Sequence, residues 1–103
     1  MINLDLVTKN FLDESKEDYV GLWSIVRRIR DANTDNSDVI ATTLDLLRTL
    51  LDEQKIVAGN FQNGTNFNMW NISTNEIISK IAGEWKSLGR DPNIGEIVWF
   101  TSK

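Results

Sequence analysis

Apolar residues between Asp38 and about Lys55 recur at spacings of three and four, which predicts one long amphipathic helix. The apolar stripe of this helix consists of Ile40, Leu44, Leu47, Leu50 and Leu51. The opposite face carries Asp38, Thr42, Asp45, Thr49 and Asp52 at the same spacings. Because the three aspartates are one heptad apart, we expect their carboxylates to share one face of the helix.

The residues after this helix predict a β-hairpin. Apolar runs at residues 56–61 and 67–70 flank Asn63-Gly64, a dipeptide suited to a tight turn with positive φ. Phe67 and Trp70 would lie on opposite faces of a regular strand, so we do not expect both in the core. One of the two is therefore expected near a binding surface.

Two helices are predicted before the long one. Residues 4–12 have apolar side chains at helical spacing, with Asn3 as a candidate cap, although residues 5–6 also alternate as in a strand. The mostly charged residues 13–18 predict a connection.

The second helix is predicted to end near Ala32, and residues 19–21 form either a very short strand before it or its first turn. Residues 33–37 contain no apolar side chain and predict a turn. Ser37 or Asn36 would cap the long helix.

After the hairpin, Ser73 and Glu76 form a capping-box sequence that predicts a further helix, and Gly89 suits its C-terminal end. The apolar stripe of that helix consists of Ile77, Ile78, Ile81, Trp85 and Leu88. A turn at residues 91–95 leads to the apolar run 97–100, which would add a strand beside the hairpin or lie across its face.

These elements predict a single α+β domain over residues 1–103. The predicted architecture is winged-helix-like: three N-terminal helices, a β-hairpin wing, a further C-terminal helix and a final β-strand. A helix that runs directly into a hairpin is how a winged helix arranges its recognition helix and its wing.

The charge of the chain makes DNA an improbable target for that helix. The net charge is −4, and residues 1–60 hold eleven acids against seven bases, whereas residues 61–103 hold four of each. Nucleic-acid binding depends on Lys and Arg that neutralise phosphates. We therefore expect a basic protein partner and no nucleic acid.

The chain has no Cys and no His. This excludes disulfides, thiolate zinc sites, thiol nucleophiles and the commonest general base, so we expect no enzymatic activity, no cofactor and no metal site. No apolar run approaches the roughly 18 residues of a membrane span, and no signal-peptide pattern is visible at Met1. We expect a cytoplasmic monomer.

Seven residues are candidates for partner binding. The acidic ones are Asp35, Asp38, Asp45, Asp52 and Glu53. They form either an ordinary solvated face or a docking strip for Lys and Arg of a partner. Phe67 and Trp70 are the aromatic candidates on the hairpin.

Arg27, Arg28 and Arg30 form the one basic cluster of the sequence. They are either solvated side chains paired with nearby acids or phosphate contacts, which leaves a winged-helix DNA-binding transcription regulator as the alternative function. A third hypothesis is a homo-oligomer that uses the hairpin or residues 97–100 as a free sheet edge.

Four segments, residues 21–26, 43–53, 56–59 and 84–100, resemble a family of small bacterial proteins. The ending Gly-Arg-Asp-Pro-Asn-Ile-Gly-Glu-Ile-Val-Trp-Phe at residues 89–100 is the most specific part. The whole is also similar to immunity proteins of contact-dependent growth inhibition, including one that protects against a ribonuclease A-like toxin. The resemblance implies a winged-helix-like fold and a protein that neutralises a basic nuclease toxin by covering its active site. We expect the complex to have 1:1 stoichiometry.

Overall fold

The computed structural model of the chain describes residues 4–32, 38–62 and 66–103. Its helices are α1 (Leu4–Glu17), α2 (Leu22–Ala32), α3 (Val39–Asp52) and α4 (Thr74–Leu88). Its strands are β1 (Val20–Gly21), β2 (Ile56–Gln62), β3 (Asn66–Met69) and β4 (Trp99–Ser102). The α+β class is confirmed, and so is the order of three helices, a hairpin, a further helix and a final strand.

The strands form one antiparallel sheet in the order β1-β4-β2-β3. Trp99 of β4 lies opposite Gly59 of β2 on one side and opposite Gly21 of β1 on the other. The final strand is therefore added beside the hairpin, although it begins at Trp99 and not at Ile97. Because β4 is paired on both sides, the hypothesis that residues 97–100 form a free edge is wrong.

One face of the sheet is packed against the helices. Ile56, Ala58 and Phe100 are buried there, and the ring of Phe11 meets the ring of Phe100 edge-on, with 5.8 Å between centroids. The helices contribute the buried residues Val7, Phe11, Leu22, Ile25, Val26, Ile29, Leu47, Leu50, Ile77, Ile78, Ile81 and Trp85. Removal of this apolar surface from water is the dominant favourable term in the stability of the domain.

Helix α1 is longer than predicted, because residues 13–17 continue it instead of forming a connection. Their charges stay on the outside: Lys9 lies 3.2 Å from Asp13, one turn along the helix. Ser15 points inward, and its hydroxyl donates to the carbonyl of Leu12 at 2.8 Å. A polar run was thus compatible with a helix whose buried stripe includes one serine.

Helix α3 confirms most of its predicted apolar stripe. Leu47, Leu50 and Leu51 are buried, and Leu44 packs against the core. The prediction is wrong in the first turns, where Ile40 is 41% exposed whereas Val39 and Thr43 are buried. The polar side chain of Thr43 concealed its burial in the sequence.

Helix α4 confirms its predicted signals. The hydroxyl of Ser73 accepts from the backbone N–H of Glu76 at 3.2 Å, and Gly89 ends the helix with φ 67°. The predictions for Asn3, for the turn at residues 33–37 and for Asn63-Gly64 lie outside the described residues. Within the described parts of the chain, no helix is both long and apolar enough to cross a membrane.

Candidate functional site

Asp45 and Asp52 lie on the outer face of α3, two helical turns apart, and both side chains are exposed. A rise of about 1.5 Å per residue separates their Cα atoms by roughly 10 Å. Over the described ranges neither carboxylate has an ion pair or a side-chain hydrogen bond. The Thr49 hydroxyl donates to the backbone carbonyl of Asp45 and not to its carboxylate. Both carboxylates are therefore available to cations of a partner.

The other predicted acidic residues have local roles or lie outside the described residues. Asp38 is the N-cap of α3, and its carboxylate accepts from the backbone N–H of Ala41 at 3.1 Å. Glu53 lies 3.4 Å from the Nζ of Lys55, which partly compensates its charge. Asp35 is outside the described residues. We call Asp45 and Asp52 the acidic strip.

Trp70 follows β3 and turns towards the core. Its backbone N–H donates to Ala58 at 2.8 Å, and its indole Nε1 donates to the side chain of Asn60 at 2.6 Å. Lys80 lies over the ring, 5.1 Å from its centroid. These contacts leave Trp70 half-buried and fixed on the helix-covered side of the sheet.

Phe67 lies on the other face of the sheet, opposite Phe61 of β2. Ring centroids in this cluster are 4.8 Å apart for Tyr19 with Phe61 and for Tyr19 with Phe67, and 5.6 Å for Phe61 with Trp99. A Cβ atom at Gly59 would lie only 2.7 Å from the Phe67 ring, so glycine gives the rings room to lie on the sheet. We call Tyr19, Phe61, Phe67 and Trp99 the aromatic face.

The aromatic face was not predicted. None of its side chains is fully buried, and Tyr19 is 38% exposed, so it is a partly solvated surface and not a second core. Its members come from four separate segments, and only the sheet register brings them together. The available signal was the pairing of aromatic residues with glycines in strand-like runs, at Gly21, Gly59 and Trp99.

The basic cluster is largely compensated by acids of the same chain. Arg28 pairs with Glu14, and Arg30 binds Asp91 through two hydrogen bonds, one of them 2.9 Å long. In the described residues Arg27 has no carboxylate partner. Two of the three arginines that could contact phosphate are thus already paired.

A cavity of about 580 Å³ lies between α2 and the connection that precedes β4. Its lining includes Trp23, Arg27, Asp31, Pro92 and Ile94. The Arg30 guanidinium at its rim holds the pKa of the Asp91 carboxyl below its ordinary value. Because the walls carry both signs of charge, the cavity favours neither an anion nor a cation.

The acidic strip can accept charged hydrogen bonds, but it lies on a convex helix and encloses no reaction space. The described residues contain no group of three or more acidic side chains placed to hold a metal ion. What this surface offers is two exposed carboxylates, which can accept hydrogen bonds from cationic groups.

Comparisons of the chain with protein-family models, with curated proteins and with solved structures gave no match.

Proposed function

We propose that this chain is an immunity protein that binds and neutralises a cognate toxin of contact-dependent growth inhibition. The toxin is a basic ribonuclease, and each chain covers the active site of one toxin molecule. The observation that carries the proposal is the acidic strip, whose carboxylates are exposed and unpaired within the described residues. The sequence resemblance to such immunity proteins supports the same function.

Electrostatics explain why this surface suits a nuclease. An enzyme that cleaves RNA holds phosphates in a cationic groove, and a row of carboxylates is complementary to that groove. Most basic side chains of the described residues are paired with acids of this chain, as in Lys9–Asp13, Arg28–Glu14 and Arg90–Glu96. The surplus charge available to a partner is therefore negative.

The proposed binding unit is winged-helix-like, with α3 as the recognition helix and the β2–β3 hairpin as the wing. Phe67 and Trp70 of the hairpin segment are half-buried and present part of each ring to solvent. In this proposal α3 supplies charge for encounter, and the hairpin supplies apolar contact area.

The test is an RNA-cleavage assay with the toxin domain encoded immediately upstream of this chain. We expect one molar equivalent of the purified chain to abolish cleavage and to co-elute with the toxin. Full cleavage activity at that ratio would refute the proposal.

The role of the acidic strip is tested by the double variant Asp45→Lys, Asp52→Lys. We expect an affinity about 10–100-fold lower at low salt, with a smaller difference at high salt because screening weakens exposed charges. The matched control is Glu17→Lys, Asp31→Lys, which makes the same change in net charge at exposed residues of α1 and α2. If both double variants lose affinity equally, only net charge matters and the strip is not the binding site.

A DNA-binding regulator has less support, since Arg28 and Arg30 are paired with acids. It would show itself in a mobility shift of bulk DNA whose binding constant falls steeply with salt. We expect no shift at low salt.

A further inference from the structure

The outer side of β3 is a sheet edge that pairs with no other strand of the described residues. Trp70 N–H donates to Ala58, which makes these two residues a hydrogen-bonded pair of the β2–β3 ladder. Hydrogen-bonded and non-hydrogen-bonded pairs alternate along an antiparallel ladder, so Met69 and Phe67 belong to non-hydrogen-bonded pairs. The N–H and C=O groups of both residues therefore point away from β2.

This edge is short, but it lacks the charged residues and proline that usually prevent strand addition. Natural edge strands carry charges, proline or bulges that prevent pairing with another chain. Residues 56–75, which include both hairpin strands, contain no charged residue and no proline. Met69 is 51% exposed at the edge, and Ile72 shortly after it is 41% exposed.

We propose that β3 pairs with β3 of a second copy of this chain, antiparallel and across a two-fold axis at Asn68. In this register Phe67 lies opposite Met69 of the second copy, and Asn68 lies opposite Asn68. The outward N–H and C=O groups of Phe67 and Met69 are then all satisfied by the second copy. The two four-stranded sheets become one continuous sheet.

Side-chain chemistry selects a second copy as the occupant. The thioether of Met69 meets the Phe67 ring of the other copy, a favourable sulfur–aromatic contact. The two Asn68 side chains are adjacent, and each amide has both a donor and an acceptor for the other. The Phe67 ring is already held by Tyr19 and Phe61, so little side-chain entropy is lost when the pair forms.

Charge limits where two copies of the chain can meet. Each copy has a net charge of −4, so two copies repel one another over most approaches. The hairpin is the uncharged part of the surface, and antiparallel pairing places no like charges opposite each other. A strand of four residues forms a small interface, so the association is weak and concentration-dependent.

Sedimentation of the wild-type chain from about 1 μM to about 1 mM tests the pairing, in the range where weak interfaces dissociate. We expect the apparent mass to rise from 11.8 kDa towards twice that value. Raised salt should strengthen the association, because it screens the repulsion between copies. A chain that stays monomeric throughout overturns the proposal and leaves the edge to a strand of another protein.

The register is tested by Asn68→Lys and Asn68→Asp. Each variant alone places like charges opposite each other and should remain monomeric, whereas an equimolar mixture should dimerise. Asn68 is exposed, so neither change should alter thermal unfolding by more than a few degrees. Failure of the mixture to associate would overturn this register.

The matched control is Ile94→Lys. Ile94 is 71% exposed and lies in the connection before β4, where it lines the cavity beside α2. It introduces the same charge as Asn68→Lys and should leave the dimer unchanged. If Ile94→Lys abolishes association as fully as Asn68→Lys, the effect is one of net charge and the proposal fails.

Discussion

Helix α3 and strand β2 each direct one polar side chain inward, but within the described residues only the side chain from β2 is hydrogen-bonded. Thr43 of α3 is 0% exposed, and its hydroxyl has no hydrogen-bond partner among the residues that the structure describes. Asn60 of β2 is half-buried and uses both ends of its amide. Its Nδ2 donates to the Ile97 carbonyl at 2.8 Å, and its Oδ1 accepts from the Trp70 indole at 2.6 Å.

This difference shows how each region is specified. The backbone hydrogen bonds of helix α3 are made within the helix, and its position in the fold requires only an apolar stripe. One unpaired polar side chain in that stripe is therefore tolerated. The sheet end joins distant segments, and Asn60 links the end of the hairpin to the connection before β4. A buried polar network of that kind stabilises only when all of its members are bonded.

The largest effect is expected at Asn60. Asn60→Ala leaves the Ile97 carbonyl and the Trp70 indole N–H without their partner, so the free energy of unfolding should fall by about 3 kcal/mol. Urea unfolding at neutral pH measures this. The control is Asn66→Ala, at an exposed amide of β3, which should change stability by less than about 0.5 kcal/mol. Equal losses in the two variants would show that the Asn60 bonds are energetically unimportant.

The backbone that Asn60 fixes is strained at Ile97. Its φ is 70°, and Val98 N–H donates to the Glu96 carbonyl at 2.9 Å, so residues 96–98 form a γ-turn with a β-branched residue at its centre. Such a conformation costs about 1–3 kcal/mol.

Ile97→Gly should therefore be more stable than Ile97→Ala by about 1 kcal/mol, although glycine is normally the less stable of the two. Both variants lose the side chain beyond Cβ, so their difference reports chiefly on the backbone. A more stable alanine variant in urea unfolding would contradict the strained turn.

A substitution at Thr43 should have a smaller effect on stability than Asn60→Ala, and an effect of opposite sign. Thr43→Val keeps the shape of the side chain and removes an unpaired buried hydroxyl, so stability should rise by about 1 kcal/mol. Thr42→Val is the control, since Thr42 is half-exposed on the same helix and can bind water. The difference in unfolding midpoint between the two variants is the measurement, and equal midpoints would mean that the Thr43 hydroxyl is not orphaned.

Elements whose signals are local could be predicted from the sequence, and those that depend on distant segments could not. Helix α4 was predicted correctly because its signals, Ser73, Glu76 and Gly89, are local. In α3 the burial of Leu47, Leu50 and Leu51 was predicted, but that of Val39 and Thr43 was missed, because Ile40 is apolar too and threonine is polar. The turn at Ile97 had no signal, since a β-branched residue is among the least expected at positive φ.

In the candidate site, too, only the features that depend on local spacing could be predicted from the sequence. Exposure of Asp45 and Asp52 followed from helical spacing alone, whereas the capping by Asp38 and the Glu53–Lys55 contact depend on where the helix begins and ends. Pairs such as Arg30–Asp91 join residues 61 positions apart, which no local pattern predicts. The edge at β3 likewise required the strand order.

The smallest expected effect on stability concerns the ion pair between Arg90 and Glu96, in the connection before β4 that Asn60 also contacts. Arg90 Nη1 and Nη2 donate to Glu96 at 2.7 and 2.9 Å, and the Asn93 N–H donates at 2.6 Å. The Arg90 guanidinium first, and the Asn93 N–H second, lower the pKa of Glu96 from its ordinary 4.5 to about 2. A depressed carboxyl pKa contributes stability that is present above 4.5 and is lost as the pH falls towards 2.

Arg90→Gln should return the pKa of Glu96 towards its ordinary value. The wild type should then exceed the variant slightly in stability at pH 7, and this difference should vanish as the pH falls through the window from about 4.5 to about 2. Carboxyl chemical shifts of Glu96 followed by NMR report the pKa directly, and urea unfolding reports the stability. Lys86→Gln removes a positive charge four residues before Arg90 that has no carboxylate partner in the described residues, so it should leave the Glu96 titration unchanged. If Glu96 titrates alike in wild type and Arg90→Gln, the Arg90 ion pair does not lower the pKa of Glu96 and adds no pH-dependent stability to the connection before β4.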